Sequence, residues 1–249
     1  MDDLGKLRAA FAGGGLRAVL RGARRRLLLR AVELAKRPLH PRVSAEPSHQ
    51  VFERFVREVN ALGRPRVLEI GARARSGTTQ RGRFPGADYV GLDVVAGENV
   101  DVVGDAHAQG QLWPGDGFDA VFGVSVFEHL AMPWKAVLEM NRVLRPGGLA
   151  CVFTHPAYPP HDRPWDFWRY APEAFEVLFA RATGFELVAC AEGLRAAIVP
   201  LADEPALTGL WREPVWLAVC ALARKIGPPD PRLRWDVPLE EVLTSRYPA

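Results

Sequence analysis

Three acidic residues, each placed where a short apolar run ends, could do the first chemistry in this sequence. Glu69 lies in Val67-Leu68-Glu69-Ile70, directly before Gly71. The missing side chain at Gly71 lets a ligand approach the backbone, and the backbone N–H groups of the following turn are ready donors. A carboxylate at that point suits a cationic ammonium and repels a pyrophosphate, and the glycine pattern GxGxxG of a dinucleotide site is absent. Asp93 ends the next apolar run, 22 residues after Gly71, where a carboxylate can accept hydrogen bonds from both hydroxyls of a ribose. Asp105, in Gly104-Asp105-Ala106-His107, either accepts from an adenine amino group beside an apolar contact at Ala106 or caps a helix N-terminus. An adenosine-containing ligand is indicated, without deciding which one.

A second concentration of chemistry lies at 155–171. It holds Tyr158, Trp165, Phe167, Trp168 and Tyr170 together with His155, His161, Asp162, Asp166 and Arg169. Aromatic faces pack on sugar rings or other flat ligands, and an arginine grips a phosphate or carboxylate as a fork. Trp165, Trp168, Arg169 and Tyr170 are therefore the candidate acceptor-binding residues. The other reading is a proline-stiffened lid whose aromatics complete the core.

Elements that place these residues follow from the pattern. Residues 47–62 read as a helix with Val51, Phe52, Phe55, Val56 and Val59 on one face, closed by Gly63 and Pro65. Runs at 66–71, 89–93, 100–104, 118–124 and 149–155 are near-continuously apolar, as expected of strands covered on both faces. A helix at 133–144 stops at Arg145-Pro146-Gly147-Gly148. A helix at 172–182, a strand at 185–191 and an apolar run at 215–222 follow, the last two suiting a terminal antiparallel pair. The fold predicted is α/β, Rossmann-like and doubly wound, a seven-stranded mostly parallel sheet with ligands beyond the carboxyl ends of its strands. Gly82, Pro85 and Gly86 leave little room for a full helix between Gly71 and Asp88.

The Gly71 loop, Asp93, Asp105, 118–130 (FDAVFGVSVFEHL) and 141–148 (NRVLRPGG) occur in an order that resembles the class I S-adenosylmethionine-dependent methyltransferases, in the small-molecule group with Glu-His-Leu after the fourth strand. The resemblance covers roughly 50–192. It implies S-adenosylmethionine as cofactor, with Glu69 and Gly71, in one loop with Ala72, at its methionine part. Asp93 would meet the ribose, Asp105 and Ala106 the adenine, and Ser125 and Val126 the sulfonium. Gly71-Ala72-Arg73 stands where that family usually has Gly-x-Gly. Thr154-His155-Pro156 through Asp166-Phe167-Trp168-Arg169-Tyr170, with the tail at 235–241, looks like methyltransferases of polysaccharide and cell-envelope biosynthesis.

The activity so implied is O-methylation of a glycan, glycolipid or related small molecule. In-line displacement at a sulfonium gains from alignment, and a hydroxyl acceptor gains about 100- to 10,000-fold from a positioned base. His129 and His155, after the fourth and fifth strands, are the candidate bases, with Asp166 or Glu128 orienting or replacing them. Asp162, Asp166 and His161 show no recognisable ligand spacing, so no metal is expected. The alternatives are a non-catalytic adaptor of the same fold and, with less support, a nicotinamide-dependent oxidoreductase.

Charge divides the chain. Residues 1–43 hold 11 of the 32 Lys and Arg against Asp2, Asp3 and Glu33, and the remainder is acidic, with 21 basic and 26 acidic residues. Leu16, Val19, Leu20, Ala23, Leu27, Ala31 and Leu34 recur at helical spacing opposite Arg17, Arg21, Arg24 and Arg25, with Arg26 and Arg30 intruding. An arm over 1–46 is expected, either lying through 1–43 on an anionic membrane or on nucleic acid, or packed as a solvated helix, with the methyltransferase-like domain at 47–249. The acidic remainder makes nucleic acid an unfavoured substrate. Cys151, Cys190 and Cys220 sit in apolar runs and read as buried thiols of a reducing, cytoplasmic setting. No run reaches membrane-spanning length, and the N-terminus lacks a secretion-signal pattern.

Overall fold

The computed structural model describes residues 45–238 apart from 76, 114, 116, 203 and 236, together with Val242 and, ahead of residue 45, residues 20, 22–24, 26–28, 30–32 and 34. The chain forms two compact units, 1–42 and 43–249, dividing four residues before the expected boundary. In the first, the described residues are helical, and Leu20, Leu27 and Leu34 are exposed. Leu16, Arg17, Val19, Arg21 and Arg25 of the expected amphipathic pattern lie outside the described residues, as does part of the tail at 235–241.

In the second unit, α1 (Pro47–Asn60) starts on a proline at its first turn, which supplies the helical φ without losing an intrahelical bond. Strands β1 (Arg66–Ile70), β2 (Asp88–Asp93), β3 (Val102–Val103) and β4 (Phe118–Val124) precede α3 (Pro133–Val143) and β5 (Leu144–Thr154). The short α2 (Gln109–Leu112) lies between β3 and β4. Helix α4 (Pro172–Leu178), β6 (Phe185–Ala197) and β7 (Pro214–Lys225) follow. The seven strands run β3-β2-β1-β4-β5-β7-β6, with β7 antiparallel to both β5 and β6 and the other pairs parallel. Among the described residues no helix is long and apolar enough to cross a membrane.

Alternation along the strands feeds two cores. Leu68, Ile70, Val121 and Val152 face α3 and α4 with Phe175 and Phe179, while Val67, Phe122, Cys151 and Leu222 face α1 with Phe52 and Phe55. Both faces are covered, and so these strands read as continuous apolar runs.

Several boundaries differ from expectation. The third strand shrinks to two residues, paired Leu92↔Val102 and Asp93↔Val103. Arg145 to Gly148 bulge out of the sheet, since Phe118 pairs with Leu144 and Ala120 with Leu149. The helix expected to reach residue 182 ends at Leu178; a 3-10 turn, Arg181–Thr183, follows and closes on Gly184 at φ 78°. Strand β6 runs six residues beyond 191 because β7 pairs with it as far as Pro214. Cys151 and Cys220 are buried thiols, whereas Cys190 is partly exposed.

Candidate functional site

The carboxyl ends of β1, β2, β4 and β5 open into a cleft of about 860 Å³, roofed by 155–171. That volume lies within the roughly 300–1,000 Å³ of small-ligand sites. Gly71, Asp93, Asp105, Ala106, Ser125, Val126, His129, His155 and Trp165 all line it, with Ile70, Leu92 and Val124 as apolar floor. Gly71 has φ 71°, and a Cβ there would stand 2.5 Å from Val126 Cγ2, so glycine is required by both backbone and neighbour.

Asp93, at the end of β2, accepts from Val95 N at 2.9 Å and more weakly from Arg73 N at 3.3 Å, with Arg73 Nε 3.9 Å away. The Asp105 carboxylate caps the turn at Ala106–Ala108 by accepting from His107 N at 2.8 Å, and the His107 ring bonds the same oxygen at 2.6 Å. Burial raises the Asp105 carboxyl, but these bonds outweigh it and hold the group below its ordinary range. His107 Nε2 accepts from Met132 N at 3.2 Å, which fixes the proton on Nδ1. The capping expectation for Asp105 is met, and the residue still borders the cleft.

Six expected site residues lie outside the cleft lining. Glu69 shares the α1 face of the sheet with Val67, and its Oε2 accepts from Tyr89 Oη at 2.5 Å and Asn99 Nδ2 at 2.9 Å. Burial, partly offset by those bonds, pushes its carboxyl up to about 7. Ala72 is buried, and its N–H and that of Gly71 both donate to Leu92 O, at 3.0 and 2.8 Å. These two N–H groups are therefore spent within the protein.

Asp166 pairs with Arg169 and not with His129 or His155. Arg169 holds it by two bonds of 2.6 and 2.9 Å, and the guanidinium keeps the carboxyl well below the usual range. The Arg169 fork is thus consumed internally, and Nε ties Tyr158 O at 3.0 Å. Tyr170 is buried, with its hydroxyl donating to Phe127 O at 2.8 Å, and Trp168 Nε1 donates to Leu130 O at 2.8 Å. These polar tips satisfy loop carbonyls, so Trp168, Arg169 and Tyr170 build the lid. Trp165 alone of the four reaches the cleft.

The lid is also latched from the far wall. Arg75, in the loop after β1, donates to both carboxylate oxygens of Asp162, at 2.7 and 2.9 Å. That arginine was overlooked in the sequence, where nothing links it to a residue 87 positions on.

The expected bases meet around one buried carboxylate. Glu128 is fully buried; its Oε2 accepts from Thr154 Oγ1 at 2.6 Å, and its Oε1 has no hydrogen-bond partner among the described residues. His155 Nε2 stands 3.3 Å from that Oε1 and 3.3 Å from Ser125 Oγ, while His129 Nε2 stands 4.0 Å from Oε1. His155 Nδ1 bonds Leu217 O at 2.8 Å, and the ring stacks on Tyr158 at 4.5 Å. With Nδ1 anchored on a carbonyl, Nε2 is the ring atom that faces the cleft.

A family model described as a methyltransferase domain matches residues 71–152. No curated protein sequence matches the chain. Among solved structures, 1,6-didemethyltoxoflavin-N1-methyltransferase of Burkholderia thailandensis, crystallised with 1,6-didemethyltoxoflavin and S-adenosylhomocysteine, is 17% identical. The match covers 85% of this chain and 89% of that one, with a TM-score of 0.50. The YcgJ protein of Bacillus subtilis is 19% identical over 71% of this chain and 96% of that one, at a TM-score of 0.47. A S-adenosylmethionine-dependent methyltransferase of Archaeoglobus fulgidus is 16% identical over 70% and 94%, also at 0.47. The segment 71–152, set in a seven-stranded sheet of this order, is thus similar to a methyltransferase domain.

Proposed function

We propose that the chain methylates a hydroxyl group of a glycan, glycolipid or related small molecule. The observation that carries this reading is the placement of His155, whose Nδ1 is anchored on Leu217 O and whose Nε2 lies 3.3 Å from both Ser125 Oγ and the Oε1 of buried Glu128 at the mouth of the cleft. The residues fit the cofactor of the family: Asp93 offers a carboxylate at the end of β2 for a ribose, Asp105 and Ala106 flank the next strand end, and Ile70, Leu92 and Val124 supply an apolar bed. When bound, S-adenosylmethionine supplies an electrophilic methyl group on a sulfonium. His155 takes the proton of an acceptor hydroxyl on Nε2 as that oxygen attacks, and Glu128 stabilises the resulting imidazolium from 3.3 Å. Ser125, at φ 53°, holds the other side of the ring, and the lid excludes water from the developing charge.

A nicotinamide reading has less support, because the turn at Gly71 and Ala72 has no spare N–H for a pyrophosphate. The basic residues of 1–43 support peripheral contact with an anionic membrane, where lipid-linked acceptors lie.

Calorimetric titration with S-adenosylhomocysteine, S-adenosylmethionine and NADH tests the reading. Binding of the two sulfur compounds only, weakened at least about tenfold in Asp93→Ala, is expected. His155→Ala is expected to keep that binding and lose about 100-fold or more of methyl transfer to hydroxylated acceptors. Absence of binding by all three, or full turnover in His155→Ala, overturns it.

A further inference from the structure

Three histidines crowd the lid side of the cleft, and each commits Nδ1 to a backbone carbonyl. The partners are Trp165 O for His129 at 2.5 Å, Leu217 O for His155 at 2.8 Å and Pro159 O for His161 at 3.2 Å. A carbonyl oxygen only accepts, so each Nδ1 carries a proton and Nε2 is the ring atom left for other partners, Ser125 Oγ standing 3.3 Å from that of His155. Glu128 adds an acceptor-only group to the same corner, buried and with Oε1 lacking a donor among the described residues. A buried carboxyl oxygen without a donor is unfavourable, and a cation held between it and the neighbouring imidazole nitrogens relieves the lost solvation.

We propose that Glu128, His129 and His161 bind one divalent transition-metal ion of the zinc class at this wall of the cleft. Their ligand atoms lie within 4.8 Å of one another. Two imidazole nitrogens and one carboxylate oxygen are a donor set for such an ion, and three protein ligands leave a tetrahedral position open to the cleft. The Nδ1–H to carbonyl bonds are the outer-shell contacts that orient ligating histidines. Zinc-to-nitrogen bonds of about 2.0–2.1 Å set ligand atoms about 3.3 Å apart, so the group closes by up to about 1.5 Å on loading. His129 and His161 border the cleft, which gives the ion its way in.

The ligands come from two places, the turn after β4 and the lid, so the ion would pin the lid to the sheet. His155 remains compatible as a base, because a carboxylate oxygen has two lone pairs and can serve both the ion and an imidazolium. The proposal does not depend on methyl transfer, and its test reads the metal.

Chelator-treated, tag-free full-length chain titrated with Co2+ is expected to take up one ion, with visible d–d absorption that Zn2+ abolishes. His161→Ala, a partly exposed site whose loss spares the core, is expected to weaken uptake at least tenfold, and His129→Ala likewise; His49→Ala, remote in sequence and without ligand contact, is expected to bind as wild type. Circular dichroism of each variant confirms folding, and His161→Ala decides if His129→Ala unfolds. No stoichiometric uptake by the wild type, or undiminished uptake in His161→Ala, overturns the proposal, whereas S-adenosylhomocysteine titration of the same samples reports on the methyltransferase reading alone.

Discussion

Glu69 is placed by the pleat of β1, which turns it with Val67 toward α1 and beneath Tyr89, where Asn99 bridges it to Ala72 O. It braces the loop from behind. Its carboxyl, raised by burial from 4.5 to about 7, binds a proton more readily folded than unfolded. The stability tied to that proton is fully present below about pH 4.5 and is lost as pH rises toward 7. Glu69→Gln, which needs no proton, is expected to unfold with wild type near pH 4.5 and to be the more stable protein at about pH 8, by up to about 3 kcal/mol. Denaturant titrations across that range read the difference, and one that stays constant with pH contradicts the assignment. Asp93, Asp105, His129 and His155 were legible as cleft residues because each ends or follows a strand in sequence. Glu69 misled because its type fits an ammonium, while the alternation that turns it away depends on which face the ligand uses.

The parallel strands and α3 were legible because continuous apolar runs with a Pro-Gly-Gly stop carry their own signal. Strand lengths at the edges were not, since β3 and β6 are delimited by their partners: β3 finds two pairs on β2, and β6 extends as far as β7 does. The lid was legible as a loop of aromatics and charges, yet Trp168, Arg169 and Tyr170 turn their polar atoms onto Leu130, Asp166 and Phe127, partners set by the loop path. The cluster of Glu128, His129 and His161 was equally hidden, because its members come from two loops with no ligand spacing. The pair of bonds from Arg75 to Asp162 spans the mouth. Both side chains are substantially exposed, so the latch is worth roughly 0.2–1 kcal/mol and sets how often the lid opens. Asp162→Ala is expected to speed S-adenosylhomocysteine release about two- to fivefold in stopped flow, with unchanged thermal unfolding. High salt is expected to speed release from wild type and leave the variant unaffected. Equal release rates at low salt contradict a latch.

At the scale of the whole chain, opposite charge is kept in separate units. Residues 1–42 carry the 11 basic residues of the arm, and the sheet, both cores and the cleft belong to 43–249, which is net acidic. Leu20, Leu27 and Leu34, spaced by seven along helical backbone, expose apolar surface beside Arg24, Arg26 and Arg30. A helix of that kind gains from an interface in two ways: apolar side chains leave water, and each arginine near an anionic surface contributes about 1 kcal/mol at low salt. The full chain is expected to sediment with vesicles containing a third of phosphatidylserine or phosphatidylglycerol and to stay in solution with pure phosphatidylcholine. Binding is expected to weaken as salt rises and the surface potential is screened. A chain lacking 1–42 is expected to lose sedimentation while keeping its unfolding transition and its affinity for S-adenosylhomocysteine. Sedimentation retained without the arm would move the contact onto the acidic unit, against its charge, and sedimentation with neutral vesicles alone would leave the apolar stripe as the whole of the attraction.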